Sequence, residues 1–185
     1  MEVEVLKSGG IVCMSSDTVY GLFARALDKE AVLRLYNIKG RDEEKPFIIL
    51  LSELDQLDEF DVKTVSKRAE KFIEKYTPGP VTFIIETDSV DFEYLTRGGG
   101  TLAFRIPDEQ SLKKIIKQIG PLVAPSANPQ GLRTAETIKE AQEYFGDAVD
   151  LYSDGGKRTG EPSTIVDLTK EVPVVVRQGR IKIDL

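Results

Sequence analysis

Residues 38–51 read IKGRDEEKPFIILL, and they join the end of a helix-like pattern to an apolar run that is typical of a buried strand. The helix-like pattern begins at Asp28, an expected N-cap, and keeps its apolar residues on one face. A helix, a short polar loop and a buried strand in succession are typical of alternating α/β proteins. The stretch therefore predicts an α/β fold.

The same alternation continues along the chain, whose 185 residues are enough for one domain, 1–185, with a full core. Because only short turns separate the last strands, mixed pairing is expected in the sheet. The predicted strands are 11–14, 47–51, 81–86, 101–106, 122–124, 148–152, 164–168 and 172–176, and the predicted helices are 28–38, 62–76, 108–119 and 134–145.

Composition excludes several classes of catalytic site. The chain has no histidine, which removes Ser-His-Asp triads, Cys-His dyads and most zinc sites. The single cysteine, Cys13, lies in an apolar run and is expected to be a small buried side chain rather than a nucleophile. Neither a Walker loop nor a GxGxxG turn is present, so the nucleotide sites built on those motifs are excluded too. Chemistry in this chain must rely on the placement and charge of other groups.

Charge and hydropathy predict a cytoplasmic protein. The net charge of -6 argues against a protein that coats nucleic acid along its whole surface, although it leaves room for a local basic patch. No apolar run approaches the roughly 18 residues needed to span a bilayer. The N-terminal residues MEVEVLKSGG lack a basic region followed by an apolar one. We therefore expect no membrane partner.

Three cations, Lys39, Arg41 and Lys45, lie on the loop within the opening stretch. Long cationic side chains on a loop at a strand edge can converge on phosphates. The alternative is an ordinary solvated loop, because most surface cations are of that kind. Polar clusters beside the other predicted strands favour the anion site, since ligands of open α/β sheets bind at strand ends.

Those clusters have structural explanations of their own. Asp17 and Thr18 fit a turn or a cap, and Thr134 fits a helix N-cap. Residues 126–128, SAN, fit an Asx-type turn. Arg105 lies inside an apolar strand and is harder to explain, because a buried arginine needs a partner.

Taken in order, the clusters form a set of motifs. SSDTVYGL at 15–22 is similar to the pattern P-T-[DE]-T-x-Y-G-L, and KGRDEEKP at 39–46 is similar to K-x-R-x-x-x-x-P. The other matches are PGPVT at 78–82, Arg105, SAN at 126–128, STIVD at 163–167 and RQG at 177–179. Together they resemble the YrdC/TsaC-type threonylcarbamoyl-AMP synthase family across nearly the whole chain. The resemblance implies a single YrdC-like domain, with a twisted open mixed β-sheet, flanking helices and a concave ligand surface.

The resemblance also implies a reaction. Members of that family form threonylcarbamoyl-AMP and pyrophosphate from L-threonine, bicarbonate or CO2, and ATP. The product supplies the threonylcarbamoyl group for an adenosine of tRNA, by way of downstream threonylcarbamoyl-transferase proteins. A nucleotidyltransferase is therefore implied, with ATP as a substrate, Mg²⁺ carried by the nucleotide and no protein metal site. Except for CO2 the reactants are anionic or zwitterionic, so catalysis would depend on charge neutralisation and alignment.

The same resemblance assigns residues to roles. Lys39 and Arg41 are implied to be catalytic, with Lys39 facing the phosphates or the carbamate. L-Threonine is expected to contact Thr18, Arg105, Ser163 and the backbone of Ala124. ATP is expected to contact Arg41, Lys45, Thr101, Ser126, Thr134 and Arg177.

Three departures from the family pattern bear on specificity. Ser15 and Ser16 stand in place of Pro-Thr, and Asp42 stands where a proline usually follows K-x-R. Leu50 occupies the position where many members carry a histidine that contacts threonine. These changes concern the amino-acid site more than the nucleotide site.

Two other functions stay open. The phosphates of double-stranded RNA or tRNA could instead bind five cations, namely Lys39, Arg41, Lys45, Arg105 and Arg177. That binding would weaken steeply with salt. The second alternative is a paralogue of the same fold, similar either to YciO or to the YrdC-like domain of carbamoyltransferases. It would act on a different carbamoyl adenylate. Pyrophosphate release that depends on the amino acid separates this paralogue from the synthase.

Overall fold

The computed structural model describes residues 1–40 and 45–183, which form a mixed α/β fold. The helices are α1 (Glu2–Lys7), α2 (Lys29–Lys39), α3 (Lys67–Tyr76), α4 (Glu93–Thr96), α5 (Gln110–Ile119) and α6 (Ile138–Phe145), with 3-10 turns at Leu54–Phe60 and Gly146–Ala148. The strands are β1 (Val12–Ser15), β2 (Tyr20–Arg25), β3 (Ile48–Leu50), β4 (Val81–Glu86), β5 (Thr101–Arg105), β6 (Leu122–Val123), β7 (Leu151–Tyr152), β8 (Thr164–Asp167) and β9 (Val174–Arg177). None of the helices described here is long and apolar enough to cross a membrane.

The strands form one sheet in the order β7-β1-β2-β6-β3-β5-β4-β8-β9. Three neighbouring pairs are parallel, β1 with β7, β3 with β5, and β4 with β8, and the other pairs are antiparallel. The predicted mixed sheet is therefore confirmed.

The two faces of the sheet are covered differently. Helices α2, α3 and α6 bury their apolar residues on the first face, in the larger core cluster. Helices α1 and α5 cover part of the second face, in a smaller cluster. Strand β5 shows the alternation that separates the faces, because Leu102 and Phe104 lie in the larger core while Thr101, Ala103 and Arg105 face a cavity. That uncovered part of the second face holds the candidate site.

The structure confirms one of the helix starts predicted from the sequence and corrects others. Asp28 caps α2 as predicted, since its Oδ1 accepts a hydrogen bond from the Ala31 N–H at 3.0 Å. The predicted start of α3 at residue 62 was wrong, because Ser66 is the N-cap and accepts from the Ala69 N–H. The predicted start of α5 at Asp108 was also wrong, because the N-cap of that helix is Glu109. The predicted strand 81–86 is confirmed as β4.

Cys13 is confirmed as a buried apolar residue. It is fully buried in β1, and burial raises the pKa of its thiol to about 12. A thiol with so high a pKa is almost entirely protonated at neutral pH, and so it is a poor nucleophile.

Candidate functional site

A cavity of about 260 Å³ lies on the second face of the sheet, and we call it the sheet cavity. It gathers residues from motifs that lie far apart in the sequence. Seven predicted site residues line it: Thr18, Thr101, Arg105, Ala124, Ser126, Ser163 and Arg177. Lys39, Lys45 and Thr134 are not among the lining residues, and Arg41 lies outside the described residues.

The turn between β1 and β2 places Thr18 in the cavity wall. Ser16 Oγ accepts hydrogen bonds from the Thr18 and Val19 N–H groups, at 3.2 and 3.3 Å, and donates to Val19 O at 2.8 Å. Thr18 Oγ1 then lies 3.0 Å from the Ser16 hydroxyl. The Ser16 hydroxyl therefore forms the turn that presents Thr18, so the departure at this position keeps the group that the turn needs.

Arg105 ends β5 with its guanidinium buried at the cavity wall, only 5% exposed. Its Nη2 forms an ion pair with Asp17, and its Nη1 donates to Thr18 Oγ1 at 3.2 Å. Burial lowers the pKa of Arg105 below its ordinary value, and the charge of Asp17 opposes that shift. Within residues 1–40 and 45–183, Arg105 Nε has no hydrogen-bond partner. A buried cation with an unused donor suits a ligand carboxylate.

Lys39 ends α2, and it lies beneath the loop that carries Ser126. Its ammonium is buried and donates to Ser126 O at 2.5 Å, to Asn128 O at 2.6 Å and to Asn128 Oδ1 at 3.2 Å. Ser126 Oγ in turn donates to Asn128 Oδ1 at 2.6 Å. The side chain of Lys39 thus ties the end of the helix to the SAN motif. Its predicted contact with phosphates or a carbamate stays a prediction.

Ser163 and Arg177 form another part of the wall of the sheet cavity. Ser163 Oγ lies 2.8 Å from Oγ1 of Thr82, which is fully buried in β4. Arg177 Nη2 donates to Ser163 O at 2.8 Å. Gly179 packs so closely over this segment that a side chain there would collide with Pro162 O and the Ser163 backbone. This close approach explains the glycine of the RQG motif.

A family model agrees with this arrangement of motifs. The model named Sua5_yciO_yrdC, which is described as "Telomere recombination", matches residues 4–179. The chain belongs to this family.

Relatives from the Sua5/YciO/YrdC family resemble this chain in both sequence and structure. The chain is 35% identical over 181 residues to the threonylcarbamoyl-AMP synthase of Pyrococcus abyssi, covering 97% of this chain but only 53% of that protein. The structure of P. abyssi Sua5 complexed with L-threonine has a TM-score of 0.89 and 34% identity, over 96% of this chain and 53% of that one. Escherichia coli YciO has a TM-score of 0.85 and 28% identity, over 96% of this chain and 87% of that one. The chain therefore spans about half the length of the P. abyssi relative.

Leu50, the position at which many family members carry a histidine, ends β3 at the wall of the sheet cavity. It lines the cavity and pairs in register with Arg105 of the neighbouring parallel strand. It is also 2% exposed, and it belongs to the smaller core cluster, which includes Phe23 and Leu112. Leu50 thus presents an apolar surface beside the buried guanidinium.

Two predicted ATP residues lie near the cavity rather than in its lining. Lys45 is exposed, and its main-chain oxygen accepts a hydrogen bond from the Tyr36 hydroxyl at 3.2 Å. Thr134 does not cap α6, because Thr137 is the N-cap and accepts from the Glu140 N–H at 3.3 Å. The next residue, Ala135, donates its N–H to Ala127 O, which holds Thr134 beside the SAN loop. The N-cap explanation of Thr134 was therefore wrong.

Three residues that support the site were not predicted as site residues. Asp17 pairs with Arg105, Thr82 contacts Ser163, and Tyr20 binds the segment that follows β7 through Gly156 O at 2.8 Å. Each belongs to a motif of the Sua5/YciO/YrdC resemblance, so the motif was a signal for all three. Across the described ranges, no group of three histidine, cysteine, aspartate or glutamate side chains could hold a metal ion.

Proposed function

We propose that this chain is a threonylcarbamoyl-AMP synthase that forms threonylcarbamoyl-AMP and pyrophosphate from L-threonine, bicarbonate or CO2, and ATP. The observation that carries the proposal is the buried guanidinium of Arg105, with its unpartnered Nε, in a cavity shared with residues matched to the nucleotide. The P. abyssi relative, which has this activity in its name and a complex with L-threonine, supports the same conclusion.

In this proposal the amino acid lies between β2, β5 and β8. Its carboxylate binds the guanidinium of Arg105, because a planar guanidinium matches a carboxylate in charge and geometry. Its remaining polar groups bind the hydroxyls of Thr18 and Ser163 and the backbone of Ala124, all of which line the sheet cavity.

The nucleotide lies toward Arg177 and the SAN loop. Arg177 and Lys45 supply positive charge for the phosphates, together with Arg41. Ser126, Thr101 and Thr134 supply hydroxyls for hydrogen bonds. Mg²⁺ would arrive with the nucleotide as part of the substrate and would offset part of the phosphate charge. The resemblance gives Lys39 and Arg41 the role of catalytic cations, and the Lys39 ammonium also holds the SAN loop in place.

The chemistry of the proposal needs no histidine. The neutral amine of threonine attacks CO2 and loses a proton, which gives a carbamate. A carbamate oxygen then attacks the α-phosphorus of ATP, and pyrophosphate leaves. Developing negative charge lies on phosphate oxygens, so fixed cations and hydrogen-bond donors stabilise the transition state. This step makes the protein a nucleotidyltransferase, and its product would supply tRNA modification through separate transferase proteins.

Pyrophosphate release tests the proposal. We expect the purified protein to release pyrophosphate from ATP and Mg²⁺ only when both L-threonine and bicarbonate are present, because separate groups are assigned to the two substrates. Equal release without threonine would contradict the synthase. Release that depends on a different acceptor would favour the YciO-like alternative. RNA binding that falls steeply with salt, in a protein without threonine-dependent release, would favour the nucleic-acid alternative.

Replacement of Leu50 tests amino-acid selectivity. Leu50→His is expected to increase the preference for L-threonine over L-valine, measured as a ratio of kcat/KM, by about tenfold. An added imidazole can hydrogen-bond the threonine hydroxyl, which valine lacks, and such a bond contributes about 1–3 kcal/mol to discrimination. Leu50→Met is the control, because it keeps the apolar surface. An unchanged ratio in Leu50→His would show that Leu50 only packs against Phe23 and Leu112.

A further inference from the structure

Asp17 joins its own turn to two other segments of the chain, residues 105–108 and Arg180, at the wall of the sheet cavity. Its Oδ1 accepts from Arg105 Nη2, and its Oδ2 accepts from the Asp108 N–H at 3.2 Å. Its main-chain oxygen accepts from Arg180 Nη1. The side chains of Arg105 and Asp17 are 6% and 9% exposed, so this ion pair is largely shielded from solvent.

The position of Asp17 differs from that of its partner. Arg105 lines the sheet cavity, whereas Asp17 lines a neighbouring cavity of about 480 Å³, together with Asp108 and Arg180. The ion pair therefore forms part of the wall between the two cavities. Because Asp17 does not line the sheet cavity, it would act on a ligand there only through Arg105.

The hydrogen bonds of Arg105 show how Asp17 sets its orientation. Nη2 is held by Asp17 and Nη1 by Thr18, and Nε has no partner among the described residues. A guanidinium is planar, so two fixed nitrogen atoms determine the direction of the third N–H. A buried guanidinium without Asp17 would lose its counter-charge and could turn within the cavity.

We propose that Asp17 is a positioning residue for amino-acid binding: it fixes the Arg105 guanidinium so that an unused donor receives the carboxylate of L-threonine. This inference rests on the proposed function, which assigns that carboxylate to Arg105. It requires a carboxylate at position 17, because the two side-chain oxygens each accept from a different donor. Asparagine has a single acceptor oxygen and would leave either Arg105 or the Asp108 N–H without a partner.

The test is L-threonine binding by isothermal titration calorimetry, without ATP. We expect Asp17→Asn to raise the Kd for threonine at least thirtyfold. Asp17→Glu keeps the charge and both acceptor oxygens but is longer by one methylene group, so we expect a weakening of only threefold to tenfold. In pyrophosphate release, Asp17→Asn should raise the KM for threonine while the KM for ATP changes less than threefold. A residue needed only for folding would not separate the two constants in this way.

The matched control is Asp150→Asn. Asp150 also accepts from an arginine, Arg34, and from a main-chain N–H, that of Ile11, but it lies outside the sheet cavity. We expect its threonine Kd to equal that of the unchanged protein. Circular dichroism and the melting temperature check that every variant is folded.

The possible results separate the two proposals. If the unchanged protein does not bind threonine, the proposed function fails. If it binds threonine and folded Asp17→Asn binds equally well, the role of Asp17 is overturned. If Asp17→Asn does not fold, Asp17→Glu decides the question. A Kd for threonine higher than that of the unchanged protein supports the role of Asp17, and an equal Kd overturns it.

Discussion

Arg105→Met is expected to lower kcat/KM for L-threonine by about 1000-fold, which corresponds to roughly 4 kcal/mol of transition-state stabilisation. The substitution removes the proposed partner of the substrate carboxylate and leaves Asp17 buried without its counter-charge. Removing one member of a buried ion pair costs about 3–5 kcal/mol, so the melting temperature should also fall. Pyrophosphate release and thermal unfolding measure the two effects.

Arg105→Lys separates the loss of charge from the loss of geometry. Lysine keeps the positive charge but lacks the planar fork, and we expect it to recover no more than about tenfold of the lost kcat/KM. The matched control is Arg34→Met, which breaks an exposed ion pair. In that pair, Arg34 Nη1 lies 2.7 Å from Asp150 Oδ2. Arg34→Met should leave kcat/KM within about twofold, since exposed ion pairs contribute little. A folded Arg105→Met with full activity toward threonine would contradict the assignment of the carboxylate.

The sequence predicted helices and strands best where local signals agree. Strand β4 follows a helix stop at residues 78–80, and α2 begins at a capping aspartate and ends at Gly40, whose φ of 55° suits glycine. Strand β2 was missed because its residues are buried on both faces and show no alternation. The short α1 was missed because EVEVLK alternates like a strand.

The site was predictable as a set of residues but not as a set of contacts. An arginine inside an apolar strand signals a need for a partner, and Arg105 has one. That partner, Asp17, lies 88 positions away in the sequence, and only the fold brings the two together. Likewise the sequence indicated that Lys39 serves anions. In the structure its ammonium contacts carbonyl oxygens of the SAN loop, because α2 ends beside that loop, and the contact with anions stays a prediction.

Lys39→Met is expected to lower the free energy of unfolding by about 3 kcal/mol. The ammonium donates to three oxygen atoms of the SAN loop, and hydrogen bonds to a charged group contribute about 1.5–3 kcal/mol each. The cost of burying the ammonium offsets a large part of that gain, which leaves a net loss of about 3 kcal/mol. Because Ser126 lies on that loop, the KM for ATP should rise about tenfold or more. Urea unfolding measures the stability change, and pyrophosphate release measures the KM.

Lys45→Met provides the comparison that distinguishes a structural lysine from a phosphate-binding one. Lys45 is exposed, so its replacement should leave the urea midpoint nearly unchanged, while the loss of positive charge lowers kcat/KM for ATP about tenfold to 100-fold. A Lys39→Met protein that unfolds at the same urea concentration as the unchanged chain, but has lost kcat, would contradict the structural role. The Lys39 ammonium would then act directly on the reacting groups, as the family resemblance implies. A fall in stability together with a raised KM for ATP would instead show that Lys39 acts by holding the SAN loop in place.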